Sequence, residues 1–232
     1  MQLYAVKFGE SLLNANYIFR GASSEELIPI AWSYYVAKYN QKTILFDVGF
    51  RDPQTAKEWG ITLNHIEDEV KNELHVEQVD LICITHHHFD HISNIDQFPD
   101  AQIIISQVDY LQALEGSNPR VRERLLQDNV LTVDDTYVVE NKFTFKVIGG
   151  HTDGSSVIYF VHDGKEYVIT GDECYVRDNL LHAKPVGVYS NLAHNESFIR
   201  AAYDKGYIPL PYHDLSLFES YDKVSSHIVQ II

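Results

Sequence analysis

Cysteine is almost missing: Cys83 and Cys174 are the only two in 232 residues, too few for a disulfide framework and suited to a reducing compartment. Basic residues are scarce too, 18 Lys and Arg against 33 Asp and Glu for a formal charge of −15. A surface that acidic is repelled by phosphate backbones and anionic lipid, which argues against a nuclease or a membrane-surface protein. No apolar run reaches membrane-spanning length, and Met1–Glu10 lacks the basic-then-apolar order of an export signal. The expectation is a cytoplasmic protein that takes a small-molecule substrate and binds neither membrane nor nucleic acid. Repeats, low-complexity tracts and linker-like shifts are absent as well, so residues 1–232 read as one domain, with enough hydrophobic residues (45%) for a sizeable core.

Histidine, by contrast, is concentrated. Residues 80–91 read Asp-Leu-Ile-Cys-Ile-Thr-His-His-His-Phe-Asp-His. Leu81–Ile84 has the apolar, β-branched character of a buried strand, and potential metal ligands follow at once. His86, His88 and Asp90 are two apart, so extended backbone projects them to one side, while His91 breaks the alternation. A loop or helix start here aims two imidazoles at one ion and turns Asp90 and His91 toward a second. Imidazole and carboxylate suit Zn²⁺ and its first-row neighbours, and two ions can share an activated water. His87 falls on the opposite side, as a supporting or packing residue. A solvated His-rich run binding metal adventitiously is the plain alternative, but such runs do not follow a core strand.

The same order, a strand followed by a polar ligand, recurs three times. Phe143–Ile148 leads through Gly149-Gly150 to His151, Tyr167–Thr170 through Gly171 to Asp172, and Ile208–Pro211 to Tyr212-His213-Asp214. Ligands at strand ends, approached through glycine, converge at one edge of a sheet. Seven residues, His86, His88, Asp90, His91, His151, Asp172 and His213, make two sets of three plus one bridging carboxylate.

Elsewhere, Gln2–Phe8 reads as a strand, and Ile28–Ala37 with Lys42–Val48 as a hairpin turning at Asn40-Gln41. Asp47, at the end of that hairpin, is expected to hydrogen-bond loop backbone rather than bind metal. Helices are expected over Pro53–Trp59, Ile66–Leu74, Val108–Leu114, Arg120–Leu126 and from a cap at Asn195 to Lys205, stopped by Gly206. Further strands are expected over Gln102–Ile105, Val130–Val133, Tyr137–Val139 and Val157–Val161. Two blocks of strands, each followed by helices, predict an α/β sandwich with facing sheets and helices outside.

Leu-Phe-Asp-Val-Gly, Thr-His-His-His-Phe-Asp-His, Gly-His-Thr-Asp-Gly, Thr-Gly-Asp and the late His213 together resemble the metallo-β-lactamase superfamily over nearly the whole chain. The resemblance implies an αββα four-layer sandwich with a dinuclear site, usually zinc, at one edge. It implies His86, His88 and His151 on the first metal, Asp90, His91 and His213 on the second, and Asp172 bridging. Nitrogen and oxygen ligands also accept Fe²⁺, Mn²⁺ or Co²⁺. Within the superfamily the chain looks most like the N-acyl homoserine lactonases, through Asp172-Glu173-Cys174-Tyr175, Tyr212-His213-Asp214 and the Pro-x-x-Trp-x-Tyr-Tyr lead-in at 29–35. It departs from them at Thr152-Asp153-Gly154-Ser155, where those enzymes continue Thr-Pro-Gly-His, and at Cys174, where a small residue such as Ser is common.

The activity this implies is lactone opening by attack of a metal-bridging hydroxide on the carbonyl. Tyr175 is expected to donate to the oxyanion, and Asp90 to carry a proton to the leaving alkoxide. Phe89, between two ligands, is the expected substrate contact, with Trp32, Tyr34 and Phe50 as further candidates for an apolar wall. The alternatives are another small-ester or lactone metallohydrolase, or a thioester hydrolase of the glyoxalase II type, which would need basic residues to grip glutathione. A diiron oxygen-reducing protein would carry Glu in place of His88 and a flavin domain. A purely structural metal site would leave no open water positions.

Overall fold

A computed structural model describes residues 1–232. In chain order the strands are β1 (Gln2–Asn14), β2 (Leu27–Tyr39), β3 (Lys42–Phe46), β4 (Thr62–Leu63), β5 (Leu81–Cys83), β6 (Gln102–Ser106), β7 (Val130–Val133), β8 (Thr136–Val139), β9 (Phe143–Val147), β10 (Ser156–His162), β11 (Lys165–Ile169), β12 (Ile208–Leu210), β13 (Asp222–Lys223) and β14 (Ile228–Gln230). They form two mixed sheets. The first runs β13-β14-β1-β2-β3-β5-β6-β7, with β4 paired to β1, and the second runs β12-β11-β10-β9-β8.

The hairpins follow from their turns. Asn40 and Gln41 (φ 50° and 62°), Glu140 and Asn141 (φ 51° and 53°), and Asp163 and Gly164 (φ 47° and 72°) each place two left-handed residues between paired strands. Their backbone twist matches that of the flanking strands. β3, β5, β6 and β7 are instead mutually parallel: helices Pro53–Glu58 and Glu67–Glu73 lie in the crossover from β3 to β5, the short helix Phe89–Ile92 in that from β5 to β6, and Gln107–Gly116 with Pro119–Leu125 in that from β6 to β7. The alternation of β10 and β11 decides what each face meets. Ile158 and Ile169 enter the main core between the sheets, where Phe46 of β3 meets Phe143 of β9 with ring centroids 5.0 Å apart. Val157 and Val168 face the other way, into a smaller cluster with Phe198, Ile199 and Ala202 of helix Leu192–Lys205. Helix, sheet, sheet and helix are thereby stacked as the two blocks of strands and helices, and the family resemblance, led one to expect.

Three expectations need correction. β1 runs on to Asn14 rather than ending at Phe8, because a register shift between Lys7 and Gly9 keeps it paired to β2 past the bulge. The helix assigned to a cap at Asn195 begins at Leu192, capped by Asn191, whose side chain accepts from the His194 N–H at 3.2 Å. Asn195 lies buried inside that helix and spends its amide on tertiary bonds instead, to Glu173 and the Val186 N–H. The expected stop does occur: Gly206 ends the helix at φ 70°. Helix ends elsewhere move by one or two residues, to Gln107–Gly116 and Pro119–Leu125. No helix is long and apolar enough to cross a membrane.

Candidate metal centre

The seven expected ligands follow the C-terminal ends of β5, β9, β11 and β12 and meet at one edge of the two sheets. His88 is extended (φ −64°, ψ 154°) and caps a short helix, Phe89–Ile92, which turns Asp90 and His91 inward. Two groups result: His86, His88, His151 and Asp172, and Asp90, His91 and His213, with ligand atoms within 4.8 Å of one another in each.

In the first group His88 Nδ1 lies 3.1 Å from His86 Nε2 and 3.0 Å from His151 Nε2. Two nitrogens on one tetrahedral Zn²⁺ sit roughly 3.3 Å apart, given bonds of about 2.05 Å. In the second group His91 Nε2 lies 3.0 Å from Asp90 Oδ2, and His213 Nε2 3.6 Å from the same oxygen. Asp172 divides its oxygens between the groups. Oδ2 faces His86 and His151 at 3.9 and 3.6 Å, while Oδ1 faces His91 and His213 at 3.3 and 3.2 Å.

The outer nitrogens fix which ring atom points inward. Nδ1 of His91 meets Asp47 Oδ2 at 2.7 Å, that of His151 the Val188 carbonyl at 3.0 Å, and that of His213 the Ala31 carbonyl at 3.0 Å. Each Nε2 is left with its lone pair toward the centre. Burial and neighbouring imidazoles push His88 down to about 4, and His86 well below its usual value, so both rings are neutral, as metal ligation would require. Burial also disfavours charge on His91, but Asp90, Asp172 and Asp47 outweigh it and hold that ring well above its usual range. Three buried carboxylates thus call for positive charge.

The residues fit metal ions by a separate observation. His91 Nε2 and Asp172 Oδ1 are buried and, although they lie 3.3 Å apart, neither is aligned to hydrogen-bond with any neighbour; a buried polar atom left so is costly unless something else binds it.

Sequence reasoning missed much of what holds these ligands. Asp47 does accept loop backbone, the Thr85 N–H at 2.6 Å, but its other oxygen takes the Thr85 hydroxyl at 2.6 Å and orients His91. It does so from a left-handed backbone (φ 61°), uncommon for a residue with a side chain. Glu173, read only as a neighbour of the bridging carboxylate, is fully buried. Its Oε1 accepts from the N–H groups of Gly150 and His151, both at 2.9 Å, and from Ser155 Oγ at 2.5 Å. Ser155, one of the departures noted above, therefore anchors the His151 loop. Any side chain at Gly150 would displace the Glu173 carboxylate. His87 points away from the centre, as its place in the alternation predicts, and its Nδ1 meets Asp109 Oδ1 at 2.7 Å.

A cavity of about 170 Å³ opens on the centre, walled by Leu13, Tyr17, Trp32, Trp59, Phe89 and Tyr175 among others. Phe89 packs against Trp32 and Trp59 at 5.9 and 5.4 Å, and Phe50 supports it from behind at 4.9 Å. Tyr34, named as a possible wall, is not there. It shares a face of β2 with Trp32 but sits one step further along the strand, with Phe8 and Phe50 between the two, and so lines a separate pocket with Phe8 and Val48. Trp59 and Tyr17 were not anticipated, since the fold alone brings them beside Phe89. The Tyr175 ring stacks on His213 at 5.2 Å. Burial, with Asp172 and Asp90 nearby, holds its phenol well above the usual value, so it remains a donor.

Two sheets flanked by helices, with His and Asp gathered at one edge into a dimetal site, define a metal-dependent hydrolase. The chain belongs to the metallo-beta-lactamase superfamily, whose family description matches residues 29–217. Solved structures agree in fold. A quorum-quenching N-acyl homoserine lactone lactonase superposes with a TM-score of 0.79 at 18% identity, covering 98% of each chain. An N-acyl homoserine lactone hydrolase holding the product N-hexanoyl-L-homoserine gives 0.77 at 18% identity, over 95% of this chain and 96% of that one. A dizinc quorum-quenching lactonase gives 0.69 at 17% identity, over 92% and 87%. At such identities the likeness establishes the fold. No curated protein matches the chain in sequence.

Proposed function

We propose that this protein hydrolyses the lactone ring of N-acyl homoserine lactones, with His86, His88 and His151 on one divalent ion, Asp90, His91 and His213 on the other, and Asp172 between them. The observation that carries the reading is a single cavity at the centre lined both by a hydroxyl donor, Tyr175, and by an apolar wall of Phe89, Trp32 and Trp59. The lactonases of like fold, one with a product at its catalytic metal centre, support it. So does the zinc of the dizinc relative, which makes Zn²⁺ the first choice here.

When bound, two such ions lower the pKa of a water toward neutrality and polarise a carbonyl. The chain's own residues do the rest. The Tyr175 hydroxyl donates to the carbonyl oxygen as negative charge grows there. Asp90, with its carboxylate at the centre, takes the proton of the attacking hydroxyl and passes it to the departing alkoxide oxygen, leaving a carboxylate and an alcohol. The Phe89 ring and the two tryptophans hold the acyl substituent and exclude water from it.

One observation favours a second reading. Arg51 and Arg120 line a polar cleft of about 900 Å³ that adjoins His88 and Phe89, as a thioester with an anionic handle would require. Arg51 is already paired with Asp96 at 2.9 Å, and Arg177, another candidate grip, is tied to Asp214 and Ser220. Assaying the zinc-loaded protein against N-acyl homoserine lactones, simple lactones, glutathione thioesters and β-lactams decides the matter. Turnover of thioesters without lactones overturns the proposal.

A further inference from the structure

Asp109 is fully buried in the first turn of helix Gln107–Gly116. Its two carboxylate oxygens serve two different loops: Oδ1 meets His87 Nδ1 at 2.7 Å, and Oδ2 accepts from Thr152 Oγ1 at 3.0 Å. His87 stands between the ligands His86 and His88, and Thr152 directly follows the ligand His151. Those loops carry the three imidazoles of the first group; of the second group, Asp90 and His91 stand on the separate short helix Phe89–Ile92 and His213 follows β12. The loop around Thr152 is also seated on this helix end. At Gly154 an added Cβ would run into the Asp109 N–H and the helix cap Ser106, so the backbone must lie flat there.

From this we propose that Asp109 is a positioning residue for the three-imidazole half of the metal centre. It ties the 86–88 segment to the 151–152 segment so that His86, His88 and His151 meet at one ion. The physical basis is the buried charge. A desolvated carboxylate is tolerated only with its donors in place, so it holds both donors firmly, and each donor is one residue from a ligand. Supports of this kind commonly set metal affinity by a factor of about 10–100. The inference concerns ions and not substrate, so it stands whichever ester or lactone the protein opens.

The test isolates each half of the centre. In a His213→Ala background the ion that remains sits among His86, His88 and His151. In a His151→Ala background it sits with Asp90, His91 and His213. Asp109→Ala is introduced into both, and Zn²⁺ and Co²⁺ affinities are read by chelator competition, with circular dichroism and melting of the metal-free proteins alongside. The expected result is affinity lowered about 10–100-fold in the first background and unchanged in the second. His87→Ala and Thr152→Val, each removing one arm, should give part of that loss, and neither should add to it once Asp109 is gone. If Asp109→Ala does not fold, these single-arm variants carry the test. Equal weakening in both backgrounds, or none in either, overturns the proposal.

Discussion

Replacing Asp47 by Asn changes one atom in the support of His91, and the structure says which way the amide must turn. Asp47 Oδ1 accepts the Thr85 backbone N–H, while Oδ2 accepts the Thr85 hydroxyl and faces His91 Nδ1. An Asn that put its NH₂ against the Thr85 N–H would set donor against an immovable donor. The NH₂ therefore goes to the other side, where the Thr85 hydroxyl can rotate to accept it. His91 can answer only by moving its proton from Nδ1 to Nε2. That proton then occupies the lone pair aimed at the second metal. Loss of such a support typically costs about 10–100-fold in metal affinity, or roughly 1.4–2.7 kcal/mol. Asp47→Ala should in addition orphan the buried Thr85 N–H, at about 1–3 kcal/mol of stability. Chelator competition with Zn²⁺ at neutral pH should find one tight and one weakened ion in Asp47→Asn, with the metal-free protein melting close to wild type. If both ions bind Asp47→Asn as tightly as wild type, the argument that the carboxylate sets the His91 tautomer is wrong.

Other outcomes can be stated more briefly. Tyr175→Phe should lower kcat by about a hundredfold, roughly 3 kcal/mol of barrier, with metal content unchanged; unaltered turnover removes the oxyanion role. Trp59→Ala opens the small cavity on its half-exposed side and should shift preference toward bulkier acyl groups, seen as a change in kcat/KM across a chain-length series. Glu69 is held below the ordinary 4.5: burial opposes ionisation, but hydrogen bonds from Ser225 and His227 outweigh it. A depressed carboxyl stabilises the fold above its unfolded value and loses that contribution as pH falls through the folded one. The wild-type Tm should therefore drop more steeply than that of Glu69→Gln as pH is lowered from 4.5. Parallel curves would show the contact to contribute nothing.

Much of the site was legible because its ligands obey local rules. The two-residue spacing of His86, His88 and Asp90 depends only on extended backbone, and the repeated order of strand, glycine and ligand marks His151 and Asp172 without any knowledge of packing. The turn at Asn40-Gln41 was equally plain, since two adjacent polar residues between β-branched runs leave little else for the chain to do. Asn195 misled for a matching reason. Its residue type suits a cap, but a buried partner, Glu173, claimed its amide, and Asn191, just before the helix, took the cap through the His194 N–H.

Sequence alone determined the chemistry available here: five imidazoles and two carboxylates placed just beyond strand ends, on an acidic chain rich enough in apolar residues to build two sheets. Tertiary structure decided how that chemistry is held. Asp47 reaching Thr85, Asp109 joining His87 to Thr152, Glu173 gripping the His151 loop, and Trp59 closing on Phe89 are all contacts between distant segments. Each depends on strand register and crossover packing, where a slip of one residue turns every side chain to the opposite face. Local periodicity carries no record of which distant partner will be there.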